Sequence, residues 1–307
     1  MRVIFMGTPD FAVPTLDALV DAGHEVVAVV AQPDRPKGRG QKMVSPPTIE
    51  RARVLGIETK QPRAVRRGPF VDWMTQADAD VAVVVAYGRI LIPALLNAPR
   101  HGCINVHASL LPKYRGAAPI NWAIVRGEAE SGVATMQMAE GLDTGDVLLE
   151  ATTPIGADET AGELHDRLSP MGAQLAVETL ACLETISPKV QDHAAHTLAP
   201  LIDRALAQID WSLPAQEIHN LVRGFNPWPT AWTMLGKDRM KVHRTRLVEG
   251  SGSPGEVIQA GPSLVVAASD GALSLEEIQL PGKRAQTGRD LVNSGRLTKG
   301  VTLGLET

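Results

Sequence analysis

Cysteine, aromatic residues, net charge and long apolar runs are all scarce in this chain of 307 residues. The two cysteines, Cys103 and Cys182, lie far apart in apolar surroundings. Two such residues do not make a disulfide framework, and they fit a reducing compartment. Formal net charge is −4, which excludes a polycation. Residues 208–307 carry 11 Lys+Arg against 10 Asp+Glu, leaving 19 against 24 for the first 207. That asymmetry is compatible with a polyanionic partner without establishing one. The most apolar run, residues 81–96, is broken by Gly88, Arg89 and Pro93 and falls short of the ~20 residues of a membrane span. Met1-Arg2 leads directly into the apolar "VIFMG", too short for the core of a secretory signal. The expectation is a cytoplasmic protein that does not enter a membrane. There is no internal repeat, no low-complexity segment and no common zinc-ligand spacing.

What is present is an alternation. "VIFMG", "EVVAVVA", "ADVAVVVAY" and "GCINVHA" read as buried strands. Between the first two, "PDFAVPTLDALVDAG" reads as a helix with Thr8 or Asp10 as cap and Gly23 as stop. A polar loop, Gln32 to Pro47, leads to a helix from about Thr48 to Leu55. "APINWAIVRGE" is helical, and "GVATMQMA" and "DVLLEATTPI" are strands joined by "EGLDTG". A helix is expected between about Glu159 and Thr185, with Ser169-Pro170 dividing it. This pattern predicts an α/β fold, a Rossmann-like, mostly parallel sheet with helices on both faces, over 1–187. Residues 188–207, polar with Pro188 and Pro200, read as a linker. After two helical pieces, five short strands separated by Gly-rich turns predict a small OB-like β-barrel over 208–307.

The stretch "GCINVHASLLPKYRGAAPI" carries the chemistry. Strand alternation puts Cys103, Asn105 and His107 on one face, near the C-terminal strand end where open α/β sheets bind ligands. Pro112 stiffens the turn that follows. An amide N–H and an imidazolium can stabilise the oxyanion of carbonyl attack by a nitrogen nucleophile, one good donor being worth ~3 kcal/mol. "GLDTGD" supplies Asp143 and Asp146 as candidate proton acceptors. One Asn beside one His on a strand also serves purely structural ends. A His101/Cys103/His107 metal site lacks a second ligand cluster, and Cys103 lies within the strand rather than on a nucleophile's turn.

Together "FMGTPDFAVP", "QPDRPKGRG", "INVHASLLPKYRGAAPI", "EGLDTGD" and "FNPWP" resemble the methionyl-tRNA formyltransferases, over nearly the whole chain. The Asn-x-His, Ser-Leu-Leu-Pro and Leu-Asp-x-Gly elements belong to 10-formyltetrahydrofolate-dependent formyltransferases at large; the others narrow the likeness. The resemblance implies catalysis by Asn105, His107 and Asp143. Asn105 and His107 would hold the formyl oxygen, and Asp143 would fix His107 and relay a proton through water. It implies a folate site at Ser109, Leu110, Leu111 and Pro112, with backbone groups of Arg89, Ile90 and Leu91 meeting the pterin. The co-substrate would be 10-formyltetrahydrofolate, without a metal, and the acceptor the methionine α-amine of initiator Met-tRNA. The amine attacks as the neutral form, so rate should rise with pH until another group limits it. Arg35, Lys37, Arg39 and Lys42, in a loop flexed by Gly38 and Gly40, would enter the tRNA acceptor end, and the C-terminal barrel would extend the basic track. A monomer is expected. Arg89 and Ile92 depart from the pattern, which has a smaller or neutral residue and a proline there.

Three rivals remain. A dinucleotide oxidoreductase would suit the sheet, but "FMGTPDFA" lacks G-x-G-x-x-G, and Gln32 rather than an acid closes the second strand, with Asp34 two residues on. An amino sugar, a purine precursor or water could replace the tRNA acceptor. A purely tRNA-binding protein would need none of Asn105, His107 and Asp143. "FNPWPTAW" gathers Phe225, Trp228 and Trp232 in a chain with 4% aromatic residues. It reads as a rigid packed junction in preference to base stacking.

Overall fold

The structure is a computed structural model that describes residues 1–304 except Arg39; the side chain of Lys37 is also outside the described residues. The chain forms two compact units, and both are discontinuous in sequence.

The first unit comprises Met1–Pro119, Ser131–Thr153 and His165–Ala199. Its seven-stranded sheet runs in the order Val147–Pro154, Glu130–Gln137, Cys103–His107, Val81–Val85, Arg2–Gly7, Glu25–Val30, Thr59–Lys60. The pairings from Cys103–His107 across to Thr59–Lys60 are parallel, whereas Cys103–His107 pairs antiparallel with Glu130–Gln137. All five residues of Val81–Val85 are buried, so both faces of the sheet are covered, as continuous valine runs require. From Arg2–Gly7 the chain goes to one side of the sheet and later returns to the other. The strand-end crevice at this reversal is where α/β sheets accept ligands. There Thr8 donates its hydroxyl to the Tyr87 carbonyl at 3.2 Å.

Several local expectations give way to tertiary structure. Neither Thr8 nor Asp10 caps the helix Val13–Asp21, whose start has no side-chain cap, because Thr8 is committed to Tyr87 and to the Gln32 N–H. The loop from Gln32 to Pro47 contains a hairpin, Arg35–Lys37 against Lys42–Val44. Pro69–Gln76 forms a helix that the sequence pattern does not announce. Ala161–Ala181 is one helix through Pro170. Ser169 caps nothing; its hydroxyl donates to the Phe11 carbonyl at 2.9 Å. Pro170 lies on the exposed side, where water can satisfy the carbonyl its missing N–H would have met.

The second unit comprises Ile120–Glu130, Pro154–Leu164 and the described part of Pro200–Thr307. Its antiparallel ladder runs Ala231–Leu235, Asp238–Val248, Ala272–Gln279, Leu264–Ala267, Val257–Ala260, with Gln286–Thr287 added beside Ala272–Gln279. Met240, Val242, Val257, Leu264, Val266, Leu273 and Ile278 share one core with Ile218 and Val222 of the helix Ala215–Gly224. The strand Asp238–Val248 buries Met240, Val242 and Thr245 and leaves Arg239, Lys241, Arg244 and Arg246 exposed. Of the two helical pieces expected before the strands, only Ala215–Gly224 forms. The other stretch is drawn to the sheet, where Ile209 N–H donates to the Trp232 carbonyl at 2.8 Å and Trp232 N–H to the Ala207 carbonyl at 2.8 Å.

Buried polar side chains knit the three segments of this unit together. His219 meets Thr245 Oγ1 at 2.9 Å and the Ala157 carbonyl at 3.1 Å, and burial lowers its pKa. Arg223 donates to the Gly156 carbonyl at 3.2 Å, and Asn121 to the Gly224 carbonyl at 2.7 Å. Phe225 is buried, edge-on to Trp122 with ring centroids 6.2 Å apart. That is the packed junction the sequence suggests, while Trp228 is exposed. The Arg244 guanidinium, 2.6 Å from Glu163, together with the Thr160 N–H, pulls the Glu163 carboxyl down to about 2.

Candidate active site

Asn105 and His107 reach the same side of the strand Cys103–His107, which lies between its parallel neighbour Val81–Val85 and its antiparallel neighbour Glu130–Gln137. His107 is buried, with Nε2 2.9 Å from the carbonyl of Tyr114. A carbonyl only accepts, so Nε2 carries the hydrogen in this pair. Nδ1 is therefore the ring nitrogen left for chemistry. It lies 3.8 Å from Asp143 Oδ2. That is too long for a hydrogen bond, yet close enough for the carboxylate to stabilise a proton arriving at Nδ1. The Asn105 amide is half-buried and has no hydrogen-bonding partner among the described residues. The arrangement combines a free amide donor, an imidazole with one committed nitrogen, and a carboxylate beside the other.

Asp143 is held in place by backbone and side-chain contacts. Its own backbone is left-handed, φ 51°. Its Oδ2 accepts the Gly116 N–H at 2.8 Å. Gly116 has φ 125°, and a Cβ there would stand 2.6 Å from the Ala199 carbonyl oxygen, so only glycine fits. Gln191 donates its amide to the carbonyls of Asp143 at 3.0 Å and Gly145 at 2.6 Å. Arg115 donates Nε and Nη2 to Gln191 Oε1 at 3.1 and 2.6 Å.

The expected folate-side residues divide into supports and surface. Ser109 is buried and donates its hydroxyl to the Lys113 carbonyl at 2.7 Å. Leu111 packs with Ala134, Met136 and Val147, and Leu91 lies in the core beneath the parallel strands. Leu110 and Pro112 are half-buried, while Arg89 and Ile90 are exposed. Gln32 organises this edge. Its Nε2 donates to the Tyr87 and Gly88 carbonyls at 3.0 Å each, and its Oε1 accepts from Arg89 Nε at 3.1 Å and Arg35 Nη2 at 3.4 Å. A position notable in the sequence for lacking an acid is thus the acceptor for two cations.

On the basic hairpin Arg35 and Lys42 are exposed, and Arg35 faces Val44 across the ladder. Arg39 and the Lys37 side chain lie outside the described residues. Asp146 contributes its backbone carbonyl to the Gln137 N–H at 2.9 Å, so its place is in the sheet junction. Cys103 is buried against the Leu95 carbonyl, and burial pushes its thiol up to about 12, which does not suit a nucleophile. Among the described residues no group of three or more His, Cys, Asp or Glu could hold a metal ion, and no helix is long and apolar enough to cross a membrane.

Residues 1–180 match the formyl transferase domain and residues 201–296 the formyl transferase C-terminal domain. The chain belongs to the formyl transferase family. Within that family it is similar to the methionyl-tRNA formyltransferase of Geobacter metallireducens, 48% identical over 99% of both chains. It is 50% identical to that of Ruegeria pomeroyi, over 99% of this chain and all of the other. The crystal structure of an N-formyltransferase from Helicobacter canadensis, in complex with folinic acid and dTDP-3-aminofucose, has a similar fold. Its TM-score is 0.66 at 19% identity, over 90% of this chain and 98% of the other.

Three residues of this formyl transferase escape a reading by motif. Arg115 and Gly116 stand in the quoted "YRG" step, and that glycine between two turns was the available signal. Gln191 has none: it is one glutamine in a polar stretch, and only the fold shows what it touches.

Proposed function

We propose that this chain transfers the formyl group of 10-formyltetrahydrofolate to the α-amine of methionine on initiator tRNA, in the cytoplasm, for translation initiation. What carries the reading is the near-complete, 48–50% identity to proteins that bear the methionyl-tRNA formyltransferase name. The solved N-formyltransferase from Helicobacter canadensis stands at 19% and supports the fold alone.

In this reading Asn105, His107 and Asp143 are the catalytic residues. The neutral amine attacks the formyl carbon, and the carbonyl oxygen gathers negative charge. The Asn105 amide meets that oxygen, a donor worth ~3 kcal/mol of barrier. The attacking nitrogen sheds a proton towards the His107 Nδ1 and Asp143 pair, which passes it to the departing N10 of the folate. The C–N10 bond breaks as the new amide forms, so protons balance. Ser109, Leu110, Leu111 and Pro112, with the backbone of Arg89, Ile90 and Leu91, would line the folate; the buried members act through their backbone. Arg35, Lys37, Arg39 and Lys42 would meet tRNA phosphates, and residues 208–304 would add exposed cations of the strand Asp238–Val248.

The test offers labelled 10-formyltetrahydrofolate with charged initiator and charged elongator Met-tRNA. Label on the initiator alone is expected. Release of formate without labelled tRNA would move the function to a hydrolase or another acceptor. Neutralising Arg35, Lys37, Arg39 and Lys42 should flatten the salt dependence of tRNA affinity. Each lost phosphate contact removes about 0.7–0.9 from the slope of log affinity on log salt, roughly 3 in all. An unchanged slope in a binding titration would exclude the hairpin from the interface.

A further inference from the structure

We propose that Gln191 is a positioning residue for transfer. By this inference the stretch joining the two family domains belongs to the working site. The inference rests on the proposed function. Residues 181–200 are matched by neither family domain, yet Gln191 is 4% exposed and sits against the Asp143 loop.

All the bonding capacity of its amide is used. Nε2 donates to the carbonyls of Asp143 and Gly145, and Oε1 accepts two N–H groups of Arg115. Arg115 is also 4% exposed, and it forms no ion pair among the described residues. Its other partner is His193 Nδ1, at 3.1 Å. A buried guanidinium bonded to the neutral amide oxygen of Gln191 makes strong, directional bonds. They fix the amide orientation, because only Oε1 can accept from Arg115 and only Nε2 can donate to carbonyls.

The Asp143 loop is thereby gripped from two sides. Gln191 holds the carbonyls of residues 143 and 145. Gly145 itself abuts Gln137 so closely that a Cβ would lie 1.7 Å from the Gln137 carbonyl oxygen. The same joining stretch grips the turn that bears the other half of the site. Leu198–Ala199 pairs in parallel with Arg115–Gly116. Tyr114 N–H donates to Thr197 Oγ1 at 2.9 Å, and Tyr114 is the residue whose carbonyl holds His107. Gln191 touches neither the reacting atoms nor the proposed folate residues. Its effect is on where the Asp143 carboxylate stands.

Gln191→Glu is the decisive variant. It keeps an oxygen for Arg115, now with a full charge, and so preserves the fold. It also sets a carboxylate oxygen against two carbonyl oxygens and pushes the loop away. We expect kcat for formyl transfer to fall about 10- to 100-fold, the cost of a displacement near 1 Å. KM for both substrates should stay within about twofold and the melting temperature should not drop. Gln191→Leu should act alike where it folds. In an Asp143→Asn background, Gln191→Glu should cost nothing further, because residues acting through one group are non-additive. A Gln191→Glu enzyme with normal kcat, or a full additional loss in the Asp143→Asn background, would overturn the positioning role. Wild-type turnover in the same assay separates the two readings. An active wild type beside an indifferent variant removes only the role of Gln191, and an inactive wild type removes both.

Discussion

Replacing His107 with alanine should lower formyl transfer by at least about a thousandfold while leaving charged tRNA bound. Two contributions set the size. Proton transfer by a positioned side chain is worth typically 10²–10⁴-fold. Loss of the ring also leaves the Asp143 carboxylate facing no proton carrier. The substitution frees the Tyr114 carbonyl, which now holds Nε2, at a cost of about 1–3 kcal/mol in stability. Transfer should therefore be measured in a single turnover at a temperature where the variant is folded, alongside tRNA binding by titration. Lost binding with retained turnover would assign His107 to tRNA recognition.

The second large effect is expected at Gly116. With φ 125°, alanine is strained wherever its side chain goes, and the Ala199 carbonyl stands 2.6 Å from the new Cβ. Backbone strain of this kind costs about 1–3 kcal/mol. The carbonyl cannot swing aside freely, because it also accepts the N–H groups of Ala117 and Ala118 at 2.8 and 3.2 Å. Relief must come from moving Gly116, whose N–H holds Asp143. Gly116→Ala should thus lower the melting temperature by several degrees and, where folded, lower kcat about 100-fold. Thermal melts and single-turnover assays on one preparation check both. Full activity in the folded variant would show that Asp143 keeps its place without that N–H.

Much of the sheet is legible in the sequence because it is written in valine. Val81–Val85 and Glu25–Val30 are continuous β-branched runs, and alternation alone puts Asn105 beside His107. What misleads is local signal overruled from a distance. Ser169 looks like a cap until Phe11 supplies a carbonyl. The stretch after Asp34 looks like open loop although Arg35–Lys37 pairs with Lys42–Val44. Pro69–Gln76 spans barely two turns, too short for helical periodicity to speak. The site follows the same division. Residues that share one strand are found by spacing, whereas Gln191 reaches Asp143 across 48 residues and leaves no periodic trace. Gln32 was legible only as a missing acid, and the cations it serves become visible once the Tyr87–Arg89 loop is folded over it.

The interleaving of the two units has a consequence for inheritance. The chain passes from one unit to the other at residues 119, 130, 153, 164 and 199. The N-terminal family domain, residues 1–180, therefore carries two pieces whose partners lie beyond residue 200. Asn121 needs Gly224, Trp122 needs Phe225, and Ala157 needs His219. A relative that changed its acceptor by exchanging the C-terminal domain at one crossover would strand these partners. The exchange works only if residues 120–130 and 154–164 are replaced with it, so substitutions in those two inserts should track the identity of the distant domain rather than of the strands that flank them.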